Sequence, residues 1–178
     1  MVLSEITHVQ ERPQTYIEFV KCGSDDEMVD MIARLEAQIY PAELQTGIED
    51  VRGELAKPNN YSFVIYTRSG DAEAAGYMLA YHDKKSKGIY VSDLAIRAEH
   101  QRDGYGFKAL IYLLDLADSN MENRITFETR ESTSYQALNS NTVLQLLTRR
   151  GFEIVKSQAL PEYFENGENA YSVVLERK

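Results

Sequence analysis

The sequence predicts an α/β fold, a mixed central β-sheet flanked by helices in the order β α α β β β α β α β β. Three observations carry that prediction. Short β-rich apolar runs alternate along the chain with longer stripes at helical spacing. Two of those stripes open on the spacing of a capping box, Ser24 with Glu27 and Thr46 with Glu49. The third is the stretch from Tyr90 to Leu116. There Tyr90, Val91, Leu94, Ala95 and Ile96 read as a strand, and Phe107, Leu110, Ile111, Leu114 and Ala117 as one buried face of a helix.

Taken in order, residues 1–13 form a polar lead-in closed by Pro13, and residues 14–178 form one domain. Thr15–Val20 alternates and is β-rich, a first strand. Ser24 then caps a helix with Met28, Ile32, Leu35 and Ile39 inward, ending at Tyr40-Pro41. Thr46 starts a shorter helix with Ile48, Val51 and Leu55 inward, stopped by Pro58. Ser62–Thr67 and Ala74–His82 read as strands joined by a hairpin at Arg68-Ser69-Gly70-Asp71. After the strand and helix of 90–116, Arg124–Arg130 is another strand. Ser140 or Asn141 caps a helix with Val143, Leu146 and Leu147, stopped by Gly151. Phe152–Lys156 and Tyr171–Glu176 are the last strands.

Composition narrows the function. With 28 acidic against 19 basic residues the formal charge is −9, which argues against nucleic acid as the main partner and suits a cationic substrate. No apolar run is long enough to cross a membrane, and the first residues lack the basic-then-apolar pattern of a secretory signal, so the expected compartment is cytoplasmic. The single cysteine, Cys22, excludes an internal disulfide and reads as a small half-buried strand residue. His8, His82 and His100 share no ligand spacing with each other or with acids, so they read as surface histidines and no metal is expected.

The junction after Ile96 is where chemistry is expected. The run Gln101-Arg102-Asp103-Gly104-Tyr105-Gly106 lies where a strand ends and a helix begins. First-turn N–H groups there are unpaired and the helix dipole is positive, a ready site for phosphate, and glycine lets a ligand approach the main chain. Neither GxGxxG nor GxxxxGK is present.

Gln101, Gly104 and Gly106 fit Gln/Arg-x-x-Gly-x-Gly/Ala, and this run resembles the acyl-CoA loop of the GNAT superfamily of N-acetyltransferases. Asp93-Leu94-Ala95-Ile96 is similar to the family's strand before that loop. The tail segments Thr126–Arg130, Gly151-Phe152 and Tyr163–Tyr171, with Tyr40-Pro41, resemble the ribosomal-protein N-terminal acetyltransferases. The resemblance implies a GNAT-like sheet, acetyl-CoA as acyl donor and acetyl transfer to a primary amine by direct attack on the thioester. The amine is that of a peptide or protein terminus, a lysine or a small molecule. From charge and hydropathy no nucleic-acid or membrane partner is expected, and a homodimer is left open. The alternative is a non-catalytic acyl-CoA-binding module of the same fold.

On that resemblance, backbone amides of Arg102, Asp103, Gly104, Tyr105, Gly106 and Phe107 would hold the pyrophosphate. Arg102 or Lys108 would add charge. Leu94, Ala95 and Ile96 would pair with the pantetheine arm, and an N–H near Ile96 would polarise the thioester carbonyl. Glu128 is the first candidate for the base and Asp93 the second. The family's usual tyrosine, four residues before Gly-Phe, is replaced by Leu147. Tyr135, or Tyr163, is then the candidate general acid.

Overall fold

The computed structural model describes residues 17–67, 73–130, 140–161 and 169–178. Seven strands form one sheet: β1 Ile17–Lys21, β2 Phe63–Thr67, β3 Glu73–Asp83, β4 Gly88–Ile96, β5 Arg124–Arg130, β6 Phe152–Leu160 and β7 Ala170–Arg177. Their spatial order is β1-β2-β3-β4-β5-β7-β6. Only β4 and β5 run parallel; every other neighbouring pair is antiparallel. The helices are α1 Asp26–Ile39, α2 Ile48–Leu55, α3 Tyr105–Ser119 and α4 Asn141–Arg149. The order matches the mixed α/β fold expected from the sequence.

Each face of the sheet has its own core. On one, Val29, Ile32, Leu35, Val51 and Leu55 of α1 and α2 pack on Val64, Tyr77, Leu79 and Ala95. On the other, Tyr105, Ala109, Leu113, Leu114 and Ala117 of α3 with Val143 and Leu147 of α4 pack on Phe63, Ile89, Ile125 and Val173. One strand serves both. Leu79 pairs with Asp93 but Ala80 with Val91, so Ser92 is an extra residue, a β-bulge. Before it Ile89 and Val91 face α3; after it Ala95 faces α1 and α2.

Several local expectations are corrected. Asp25, not Ser24, caps α1, its Oδ1 accepting from Met28 N–H at 3.0 Å. Gly47 takes the cap position of α2 and Thr46 makes no cap bond, so the second capping box does not form. Ile48, at the first helical position, is 44% exposed instead of inward. The buried face of α3 is rotated toward Tyr105, Ala109 and Leu113, leaving Phe107 and Ile111 half-buried. Cys22 is fully rather than half buried, at 4% exposure. Ser140 caps α4, as expected, and β6 runs four residues beyond Lys156. The hairpin turn at 68–71 lies outside the described residues.

Candidate active site

The site begins where the parallel pair stops. β4 and β5 pair only at Ile89–Val91 with Ile125–Phe127. β4 then continues to Ile96 against β3 alone, while β5 continues to Arg130 against β7. Between Ser92–Ile96 and Glu128–Arg130 the strands are no longer bonded to each other, so β4 has peptide groups without a strand partner on that side. Leu94, in this half of β4, is 39% exposed although large and apolar.

β4 leads directly into the glycine loop. After a 3-10 turn at Ala98–His100, Arg102 has φ +69° and Gly104 φ +84°, and α3 starts at Tyr105. Lys108 N–H is the first to bond back along the helix, to Gly104 O at 3.0 Å. The amides of Tyr105, Gly106 and Phe107 precede it and open outward at the positive end of the dipole. A Cβ built on Gly104 or Gly106 would meet no described atom within 4 Å. Only Gly104 is required by its backbone conformation; the open space beside both fits a phosphate-bearing ligand. Arg102 is exposed, and Lys108 joins Ile17, Asp103 and Tyr105 around a depression of about 380 Å³.

Some expected ligands act otherwise. The Gln101 side chain turns back and donates from Nε2 to Ile96 O at 3.0 Å, so it ties the loop to the end of β4. Tyr105 is buried, its ring centroid 5.5 Å from that of His100, which leaves only its backbone for a ligand. Arg97 braces the loop from below, with NH1 2.5 Å from Glu73 and NH2 2.5 Å from Glu99. Glu73, Glu99 and His100 bring potential metal ligands within 4.8 Å of one another, but Arg97 already occupies both carboxylates.

Glu128 is the first residue of β5 past the last β4 pair, and its Oε2 accepts from the hydroxyl of Tyr90 on β4. Tyr90 pairs with Tyr81, whose ring lies 5.5 Å away on the α1–α2 face. The two strands therefore carry a carboxylate–phenol pair across their junction. Asp93 stands further along β4 on the same face. Its Oδ1 accepts from Tyr40 OH at 3.1 Å and its Oδ2 from Tyr77 OH. Ser92 Oγ donates to Glu54 Oε2 at 3.1 Å, and Glu54 holds Lys57 at 2.5 Å. This face of the site is lined by carboxylates and phenols.

Leu147 is 1% exposed and packs in the α3–α4 core, so that position contributes no acid. Tyr135 and Tyr163 lie outside the described residues. His82 and His100 are not bare surface groups, and His8 lies outside the described residues. His82 Nδ1 is 2.6 Å from Glu122 Oε1, and His100 Nε2 is 3.8 Å from Glu73. Their acids come from distant sequence, which spacing does not reveal. Sequence reasoning also missed the role of Tyr90, because its meeting with Glu128 depends on the parallel register.

No curated protein matches the chain by sequence. Solved structures match it along nearly its whole length. The ribosomal-protein-S18-alanine N-acetyltransferase from Escherichia coli is 14% identical, with 92% of this chain and 95% of that one covered and a TM-score of 0.66. The NatC complex bound to Gag peptide and CoA gives 19%, 91%, 99% and 0.67 for the same quantities. Naa50 of Arabidopsis thaliana in complex with the bisubstrate analogue CoA-Ac-MVNAL gives 18%, 89%, 97% and 0.60. At these identities the likeness is one of fold. Residues 29–140, from α1 through the glycine loop to the start of α4, match the model of the acetyltransferase (GNAT) family, and the chain belongs to that family.

Proposed function

We propose that the protein is an acetyl-CoA-dependent N-acetyltransferase that acetylates a primary amine by direct attack on the thioester. The observation that carries this reading is the convergence of three features on one gap. These are the unpaired edge of β4, the open first turn of α3 and the Tyr90–Glu128 pair at the point of splay. Support for the donor comes from relatives of the same fold that are bound to CoA or a CoA-containing analogue.

In this mechanism the first-turn amides of Tyr105, Gly106 and Phe107, with Arg102 and Lys108, hold the pyrophosphate. Ser92–Ile96 aligns the pantetheine arm, and an amide of this segment polarises the thioester carbonyl. Glu128 accepts a proton from the incoming ammonium, and the free amine attacks the carbonyl carbon. The tetrahedral intermediate collapses, the C–S bond breaks, and the sulfur leaves as thiolate or thiol. Tyr90, hydrogen-bonded to Glu128, can pass a proton to the leaving sulfur and take one back from Glu128. That would supply the phenol that Leu147 does not.

The acceptor is an amine-bearing peptide or small molecule. Glu54, Asp93 and Glu128 on this face favour a cationic group, consistent with the net charge of −9. A peptide is supported by two structures of the same fold, one bound to Gag peptide and CoA and one to the bisubstrate analogue CoA-Ac-MVNAL. Buried Leu147 favours a second reading, an acyl-CoA-binding module without turnover. Titration with acetyl-CoA, followed by thiol release on a panel of peptides and amines, separates the two. Glu128→Gln should then lower kcat by about 100-fold, the usual range for a general base, with the acetyl-CoA Kd unchanged. Unchanged turnover would remove Glu128 from the base role.

A further inference from the structure

Glu36 is a carboxylic acid on the inner face of α1, and it is 1% exposed. Its Oε1 lies 3.1 Å from Tyr77 OH, and its Oε2 makes no hydrogen bond of good geometry among the described residues. The same Tyr77 hydroxyl is bonded to Asp93 Oδ2. A phenol has one proton to donate, so it cannot serve two carboxylates. Either the contact to Glu36 is an unmet acceptor–acceptor approach inside the core, or one of the acids carries its own proton. Asp93 is the half-buried one and receives two phenol donors, Tyr77 and Tyr40. Glu36 is the buried one with none to spare.

We propose that Glu36 is held as a neutral carboxylic acid and is a positioning residue for Asp93. It donates its proton to the Tyr77 oxygen, which leaves the Tyr77 hydroxyl to donate to Asp93. The chain of bonds runs Glu36 to Tyr77 to Asp93, with Tyr40 closing on the far oxygen. It ties α1 and the start of the α1–α2 connection to the half of β4 that borders the gap. Tyr40 ends α1, and its carbonyl accepts from Gln45 Nε2 at 3.0 Å, so the connection is held to the same anchor.

Electrostatics agree with this assignment. Burial is the largest influence on Glu36 and pushes its pKa up, and the Asp93 charge adds to it. The Tyr77 hydroxyl and the nearby Thr46 hydroxyl and amide, which make no hydrogen bond of good geometry to Oε2, favour the anion and are outweighed. Burial also pushes the Tyr77 phenol far up, with the Asp93 and Glu36 charges adding to the effect, so Tyr77 keeps its proton. The groups facing Glu36 are thus Tyr77 of β3, Asp93 of β4 and Thr46 of the connection. Because the folded-state pKa is raised, the stability contribution is full below the ordinary carboxylate value and is lost as pH rises through the raised one.

The first test needs no enzymatic activity. The side-chain carboxyl carbon of Glu36, assigned in carbon-13-labelled protein by through-bond NMR, should keep its protonated chemical shift through neutral pH. An ionised shift at neutral pH, or titration alongside the exposed glutamates, overturns the proposal. The kinetic test rests on the acetyltransferase reading. In the parent the acceptor KM should rise at high pH as Glu36 ionises; Glu36→Gln retains a donor to Tyr77, so its acceptor KM should stay within about twofold and lack that rise. Glu36→Leu removes the donor and should raise the acceptor KM roughly tenfold with the acetyl-CoA KM unchanged. Equal damage from both variants would mean that an ionised Glu36 is required. Absence of turnover in the parent protein would sink the acetyltransferase reading and leave the NMR result to decide this one.

Discussion

The two halves of β4 are built for opposite purposes. From Gly88 to Val91 the strand is clamped between β3 and β5, with Ile89 fully buried. The fit is so close that a Cβ on Gly88 would lie 2.3 Å from Arg124 O. From Ser92 to Ile96 the strand is held from the β3 side alone, where a Cβ on Gly76 would lie 2.2 Å from Ala95 O. Its other edge faces the gap and runs on to glycines beside open space. The closed half fixes the angle at which the strands part, and the open half uses that angle. Rigidity and access are placed end to end on one strand.

Three substitutions break or sharpen this contrast. The largest effect belongs to the clamp: Ile125→Ala removes a fully buried side chain that packs beside Ile89 and should cost about 2–5 kcal/mol in chemical denaturation. Gly88→Ala should cost about 1–3 kcal/mol, because the β4–β5 spacing must widen to admit a methyl group. If it proves neutral, the parallel pair is looser than described. The smallest change in stability belongs to the open end. Gly106→Leu puts a good helix former in the first turn of α3 and should alter stability by no more than about 1 kcal/mol. It should nonetheless weaken acetyl-CoA binding by roughly tenfold or more in a calorimetric titration. Unaltered affinity would mean that the donor does not use the space beside Gly106.

The parts legible in the sequence are those whose physics is local. Alternation marked β5 and the helical stripe marked α1, each within a few residues, because one side of each element is buried. The Gln101–Gly106 run was visible because a turn and a helix start are encoded within six residues. The Tyr90–Glu128 pair was half legible. Glu128 stood out by family resemblance, but its partner depends on which residues of two non-consecutive parallel strands lie side by side. Glu36 had a signal that went unused. It stands four residues after Ile32, on the inner face of α1, where a charged residue needs an explanation. The capping boxes misled for a related reason. Asp25 caps one residue later than Ser24 would, taking the Met28 amide where a Ser24 cap would take that of Glu27, and the motif does not say in which register the helix starts.

The extra residue at Ser92 sets the phase of everything downstream. Side chains on a strand alternate between two layers, so this single insertion exchanges which layer each later residue of β4 belongs to. Val91 therefore belongs to the α3 layer while Asp93 and Ala95 belong to the α1–α2 layer. Deleting one residue here would turn Asp93 into an apolar core and swing Leu94 toward the helices that now cover Ala95. The segment from Val91 to the loop thus behaves like a reading frame. Its composition is free to drift at exposed positions, but its count of residues is not.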